Sequence, residues 1–211
     1  LIGRQLALVQ AVEKSGTPTL VILINGRPIS EPWIYDHVDA IIEAWEPGGP
    51  GGTALAEIIF GMVNPSGKLP VTIPYDVGHV RSHYSEKASS FFRDYVDIPS
   101  PSNGMVNGRS RNLFDFGYGL SYTTFTFENI KLSNPAIARD GSVSVSVDVT
   151  NSGKIAGAEV VQLYIRDEFS EVTRPVRELK NFQRVELAPG ENRTVEFEIT
   201  PDKIGRASCR E

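Results

Sequence analysis

LFDFGYGLSYTTFTF, residues 113–127, gathers aromatic rings around two glycines, Gly117 and Gly119, and then settles into apolar/polar alternation. Its own residues leave three readings open: a platform that stacks on sugar rings, a core strand, or the seam between two domains. The choice depends on the sequence to either side, because the grammar of the chain changes here.

Upstream, Leu6, Val9 and Val12 recur at helical spacing, and Ser15-Gly16 closes that segment. TLVILI (19–24) is a continuous β-branched run of strand length that ends in Asn25-Gly26. Such runs suit strands buried on both faces of a parallel sheet. EPWIYDHV (31–38) reads as a short helix and DAIIEAW (39–45) as a second buried strand. After the loop EPGGPGG, TALAEIIFG (53–61) reads as a helix capped by Gly61. Helix, strand, helix, strand, helix predicts an α/β unit with right-handed crossovers. NPSGKLPVTIPYD (64–76) is turn-rich, and residues 77–111 are polar with no sustained period. A loop of that length in a compact domain points to a functional role, to mobility or to wrapping over a neighbour.

Downstream, SVSVSVDVT (142–150), AEVVQLYIRD (158–167) and RTVEFEIT (193–200) all alternate with period two. LAPGE (187–191) reads as a hairpin turn joining FQRVEL (182–187) to the last of these strands. Short alternating strands at close spacing predict an antiparallel sandwich. The fold class is therefore α/β followed by all-β.

Composition narrows the function classes. A chain of 211 residues can bury one large core or two modest ones, with two domains expected, and 40% hydrophobic with 22% charged residues describes an ordinary globular protein. Twenty-one Lys and Arg stand against 26 Asp and Glu, with no basic stripe, so nucleic acid is not an expected partner. The longest apolar run, TLVILI, falls far short of the roughly 20 residues that cross a bilayer, so no membrane span is expected. The single cysteine, Cys209, leaves no internal disulfide and no thiolate metal site. IGRASCRE (204–211) resembles the translation of a DNA sequencing adapter and is read as a non-biological scar.

Few residues offer chemistry. Ser66-Gly67-Lys68 is followed by Leu69, which lacks the hydroxyl of a phosphate-binding loop. Gly119-Leu120-Ser121-Tyr122-Thr123 has Thr where a nucleophile elbow needs its second Gly. His37, His79 and His83 do not make up the three or four ligands of a zinc site, so no metal is assigned. Glu46 follows the strand DAIIEAW and precedes PGGPGG, at the strand end where α/β sites collect. It is a candidate for binding sugar hydroxyls or ions, weighed against a solvated loop residue; neighbouring Trp45 reads as core. Phe91, Phe92 and Tyr95, in SSFFRDYVD, are candidate sugar-stacking rings, or anchors that pin the loop by burying about 1.5–3 kcal/mol of ring surface each. Asn192-Arg193-Thr194 fits an N-glycosylation sequon.

Taken together, the motifs carry a family resemblance. ILINGRPIS (22–30), AIIEAWEPGGPGG (40–52), AEIIFGMVNPSGKLPVTIP (56–74) and FDFGYGLSYTTF (114–125) occur in that order. They resemble the C-terminal part of a glycoside hydrolase family 3 enzyme of the β-glucosidase or β-xylosidase kind. VDVTNSGKIAGAEVVQLYIRD (147–167) and ELKNFQRVELAPGE (178–191) resemble the fibronectin type III-like domain that many members carry. The resemblance runs from residue 1 to about residue 203.

It implies a partial α/β sandwich followed by a truncated, immunoglobulin-like β-sandwich. The function it implies is that of an exo-acting retaining β-glycosidase, acting on terminal β-linked glucose or related sugars. Such chemistry sets two carboxyl groups about 5–5.5 Å apart across the scissile bond. In the family an Asp nucleophile belongs to an N-terminal barrel, and the acid/base precedes the helix with which this chain opens. No catalytic residue is therefore assigned in this chain. Asp115 stands where relatives vary, and Glu46 where an aromatic or apolar residue is expected. The implied partners are a β-linked oligosaccharide or glycoside and the missing barrel domain of the same polypeptide. No cofactor is implied, and the expected location is periplasmic or secreted. The chain alone is expected to be inactive and, with unpaired sheet edges, poorly soluble. An alternative is a non-catalytic carbohydrate-binding or adhesion module lacking a barrel.

The expected organisation is the C-terminal half of an α/β sandwich at 1–78, a long loop and interdomain seam at 79–127, an incomplete fibronectin type III-like domain at 128–203, and the scar at 204–211. On that reading Phe114, Phe116, Tyr118 and Tyr122 pack where the α/β piece ends and the β-sandwich begins.

Overall fold

A computed structural model describes residues 3–77, 82–87, 112–138, 140–168 and 172–204. It divides into two compact units that exchange segments along the chain. The first takes Leu1–Phe60, Pro70–His83 and Ser89–Phe116, and the second takes Gly61–Leu69, Tyr84–Ala88 and Gly117–Glu211.

In the first unit, α1 (Gln5–Glu13), β1 (Leu20–Ile24), α2 (Pro32–His37), β2 (Ala40–Trp45) and α3 (Gly51–Ile59) follow the predicted order. β1 and β2 are parallel, pairing Leu20 with Ala40 and Ile22 with Ile42. Pro32 opens α2 at its first helical position, where a missing N–H costs nothing. The α3 helix starts at Gly51, two residues earlier than the sequence suggests, with Pro50 at its N-cap. One expectation is corrected: β1 is not buried on both faces. Leu23 is buried, whereas Leu20, Ile22 and Ile24 are exposed. The β-branched run made the strand, but among the described residues the sheet has only two strands to cover it. Among the described residues, Leu23, Ile34 and Ile73 are the buried apolar side chains of this unit. Ile73 forms a bridge with Phe114, its N–H donating to the Phe114 carbonyl at 2.8 Å.

The second unit is a sandwich of a three-stranded sheet, ordered β3 (Phe125–Leu132), β4 (Val143–Asn151), β7 (Asn192–Ile199), and a pair, β5 (Gly157–Ile165) with β6 (Glu178–Leu187). A short helix, α4 (Pro201–Ile204), follows. Period-two alternation places Val147, Val149, Val161, Val185, Leu187, Val195 and Phe197 in one core, with Phe125 and Leu163 packed on it. Inward pairs such as Val147 with Val195 and Val145 with Phe197 face each other across β4 and β7.

The predicted hairpin at LAPGE is also corrected. β6 pairs with β5 and β7 with β4, so the turn after Leu187 arches from one sheet to the other. Its Glu191 N–H donates to Ala188 O at 2.9 Å, and Gly190 has φ +75. Asn151 anchors the arch: its N–H donates to Glu191 O, and its carbonyl accepts from Gly190 N. The Asn151 side chain is fully buried. It accepts from Thr123 Oγ1 at 2.7 Å and donates to the carbonyls of Ile155 and Leu187 at 2.8 and 3.0 Å.

Residues 61–69 follow directly on α3, yet they belong to the second unit. Asn64 donates to Ala156 O at 3.0 Å and accepts from Ser121 Oγ and Tyr122 N at 2.8 and 2.9 Å. Leu69 N–H donates to Tyr118 O, and Gly117 N–H donates to Leu69 O, both at 2.8 Å. The two glycines of the stretch 113–127 permit this approach. A Cβ at Gly119 would collide with the Gly67 carbonyl, and Gly117, at φ +83, has Gln162 and Tyr164 in that space. Within the stretch 113–127 the chain passes from the first unit to the second between Phe116 and Gly117.

Candidate functional site

Parallel strands bring their carboxyl ends to one edge, and in α/β folds the loops at that edge build sites. Here β1 ends at Ile24 and β2 at Trp45, with a register shift between Leu23 and Ile24. At that irregularity Asn25 N–H donates to Trp45 O at 3.0 Å. Its side-chain Oδ1 accepts from Arg27 N at 3.0 Å, and its Nδ2 donates to Glu43 Oε1 at 2.9 Å. The same Glu43 oxygen accepts from Trp45 N at 3.4 Å. Trp45 is one of two non-glycine residues among the described ones with positive φ, at 50°. Strain of this kind, on the order of 1–3 kcal/mol, persists only where surrounding contacts impose it.

Glu43 is a carboxyl group inside an apolar strand. Its Oε2 is buried and has no hydrogen-bond partner among the described residues. Burial raises the carboxyl above the ordinary glutamate range, opposed by the bonds from Trp45 N and Asn25. Tyr35, on α2, donates its hydroxyl to Ile29 O at 3.0 Å and sets its ring edge-on to Phe114, with centroids 5.1 Å apart. Burial, and then the charge of Glu43, push the Tyr35 hydroxyl up to about 12.

Glu46 follows Trp45 directly, and its Oε1 lies 2.9 Å from the place a Cβ would take on Gly26. The structure thus brings Glu46 beside the Asn25-Gly26 turn at the strand edge. The other candidates, Phe91, Phe92 and Tyr95, lie outside the described residues, as does His79. His37 stacks on Trp33 with ring centroids 4.4 Å apart, and its Nδ1 lies 2.8 Å from the Trp33 carbonyl, a partner that places the proton on Nδ1. Asp115 accepts from Asn112 Nδ2 at 2.9 Å. Among the described residues no group of three or more His, Cys, Asp or Glu could hold a metal ion. Asn25, Tyr35 and Glu43 were not singled out from the sequence; the available signal was one charged residue within AIIEAW.

The architecture is thus an α/β piece followed by an antiparallel β-sandwich. The chain belongs to glycoside hydrolase family 3: the model of the Glycosyl hydrolase family 3 C-terminal domain matches residues 1–122, and that of the Fibronectin type III-like domain matches residues 159–208. It is 44% identical to a β-xylosidase of Formosa agariphila, over 97% of this chain and 27% of that protein. It is 42% identical to a periplasmic β-glucosidase of Salmonella typhimurium, over 91% of this chain and 25% of the relative. A solved β-glucosidase of Erythrobacter marinus superposes with TM-score 0.88 at 42% identity, covering 97% of this chain and 26% of that one. The chain therefore spans about a quarter of the length of the relatives it matches.

Proposed function

We propose that the chain is the C-terminal part of an exo-acting retaining β-glycosidase that removes terminal β-linked glucose or a related sugar. On this reading a barrel domain of the same polypeptide supplies the nucleophile, and a β-linked oligosaccharide or glycoside is the substrate. The observation that carries it is the match of nearly the whole chain to one quarter of proteins named β-xylosidase and β-glucosidase. Side-chain chemistry supports the division of labour. Glu43 is tied to Asn25, Asp115 to Asn112, and Glu159 to Lys68, so these carboxyl groups already serve the fold. The chain by itself is expected to hydrolyse no aryl β-glycoside.

The test is made on the full-length polypeptide with aryl β-glucoside and aryl β-xyloside, following the first-formed anomer by NMR. Release of the β-anomer is expected. Release of the α-anomer, or no hydrolysis of either substrate, would overturn the reading, and sugar binding without hydrolysis would favour the non-catalytic module.

A further inference from the structure

Glu43 occupies a position that packing alone does not explain. A carboxyl group within an apolar strand is costly to bury unless its bonds repay the lost hydration. Its single oxygen Oε1 takes donors from both strands, Asn25 Nδ2 on the β1 side and Trp45 N on β2, at the point where their register shifts. Trp45, held from the other side by Asn25 N on its carbonyl, is thereby kept in the left-handed region that a bulky residue seldom enters. Directly after it come Glu46 and the turn leading to α3, in which Gly51 N–H donates to Gly48 O at 3.2 Å. Conformational strain, a clamp and the carboxyl edge of a parallel sheet coincide at one place.

We propose that Glu43 is a positioning residue: its carboxyl clamps Asn25 and Trp45 and so sets the turn 45–51 against which the glycoside binds. The sugar part rests on the function proposed above. Burial favours the protonated form of Glu43, and only its Oε1 is used as an acceptor, so a neutral amide performs the same task. Tyr35, from α2, feels the charge of Glu43, and the residue facing Glu43 from the β1 side, Asn25, is uncharged.

The experiment compares Glu43→Gln and Glu43→Ala in the full-length polypeptide. Glu43→Ala is expected to raise KM on the order of tenfold with a much smaller change in kcat, whereas Glu43→Gln stays within about twofold of wild type. Hydrogen exchange across residues 45–51, measured without sugar, is expected to accelerate in Glu43→Ala alone. A Glu43→Ala variant that loses thermal stability while keeping wild-type KM has a merely structural glutamate, and the proposal fails. It fails equally if Glu43→Gln is as impaired as Glu43→Ala, or if exchange in the turn is unchanged in both. An inactive wild type defeats the glycosidase reading instead, and the exchange comparison still decides the clamp.

Discussion

Lys68 Nζ lies 2.8 Å from Glu159 Oε1 and 3.0 Å from the Gly119 carbonyl, tying a segment that follows α3 to strand β5 of the sandwich. Both side chains are largely buried, at 17% and 11% exposure. The pair lies between a surface ion pair, worth little, and a buried one whose breaking leaves an uncompensated charge.

Removing one partner is therefore worse than removing both. Lys68→Met is expected to destabilise the second unit by about 1–3 kcal/mol in denaturant unfolding. Adding Glu159→Leu to it should restore part of that loss, and a double variant that is simply the sum of the single ones contradicts the pairing.

Asn151 is the anchor of the arch between the sheets. Asn151→Ala leaves the carbonyls of Ile155 and Leu187 without their donors in a site with no exposure, an expected cost of about 2–4 kcal/mol. Asn151→Asp keeps the shape and loses both donors, so its unfolding midpoint should fall as well.

Gly117 and Gly190 both have positive φ, but their surroundings differ. Gly190→Ala meets open space and should cost about 1–2 kcal/mol from backbone strain alone. Gly117→Ala adds a collision with Gln162 and is expected to cost about 2–4 kcal/mol. Equal thermal shifts for the two variants would contradict the close approach.

Stability should fall on both sides of neutrality for separate reasons. Asp148 is held below the ordinary aspartate range by Thr194 and then Asn129, and Glu191 below the glutamate range by Ala188 N and then Arg193. Lowered folded values mean stability that is present above the ordinary range and lost as pH falls through the lowered ones. Glu43 runs the other way: its contribution is complete below the ordinary glutamate value and is lost as pH rises through its raised one. Tyr35 adds a further loss between 10.0 and about 12. Unfolding midpoints across pH should show the acid slope reduced in Asp148→Asn and the loss that accompanies ionisation of Glu43 removed in Glu43→Gln.

The order of elements was legible because β-branched runs and period-two alternation are local signals, and SVSVSVDVT behaves as β4 for that reason. The partners of those strands were not. LAPGE has the composition of a hairpin turn, and the same residues serve an arch, since the choice depends on which sheet receives β7. The exposure of Leu20 and Ile22 likewise depends on what covers β1, which composition does not encode. The place of Glu46 after a strand was legible from the sequence, and the structure sets it beside the Asn25-Gly26 turn. Glu43 was passed over because strand patterning treats one polar residue in an apolar run as a defect.

The membership of residues 61–69 in the sandwich changes what counts as a transplantable module. A cut in the linear sequence before the first sandwich strand would leave behind Asn64 and Lys68, with their bonds to Ser121, Ala156 and Glu159. A chimaera that borrows this fibronectin-type unit must carry three discontinuous pieces of chain. Recombination between relatives is then constrained to exchange residues 61–69 and 84–88 together with those from Gly117 onward.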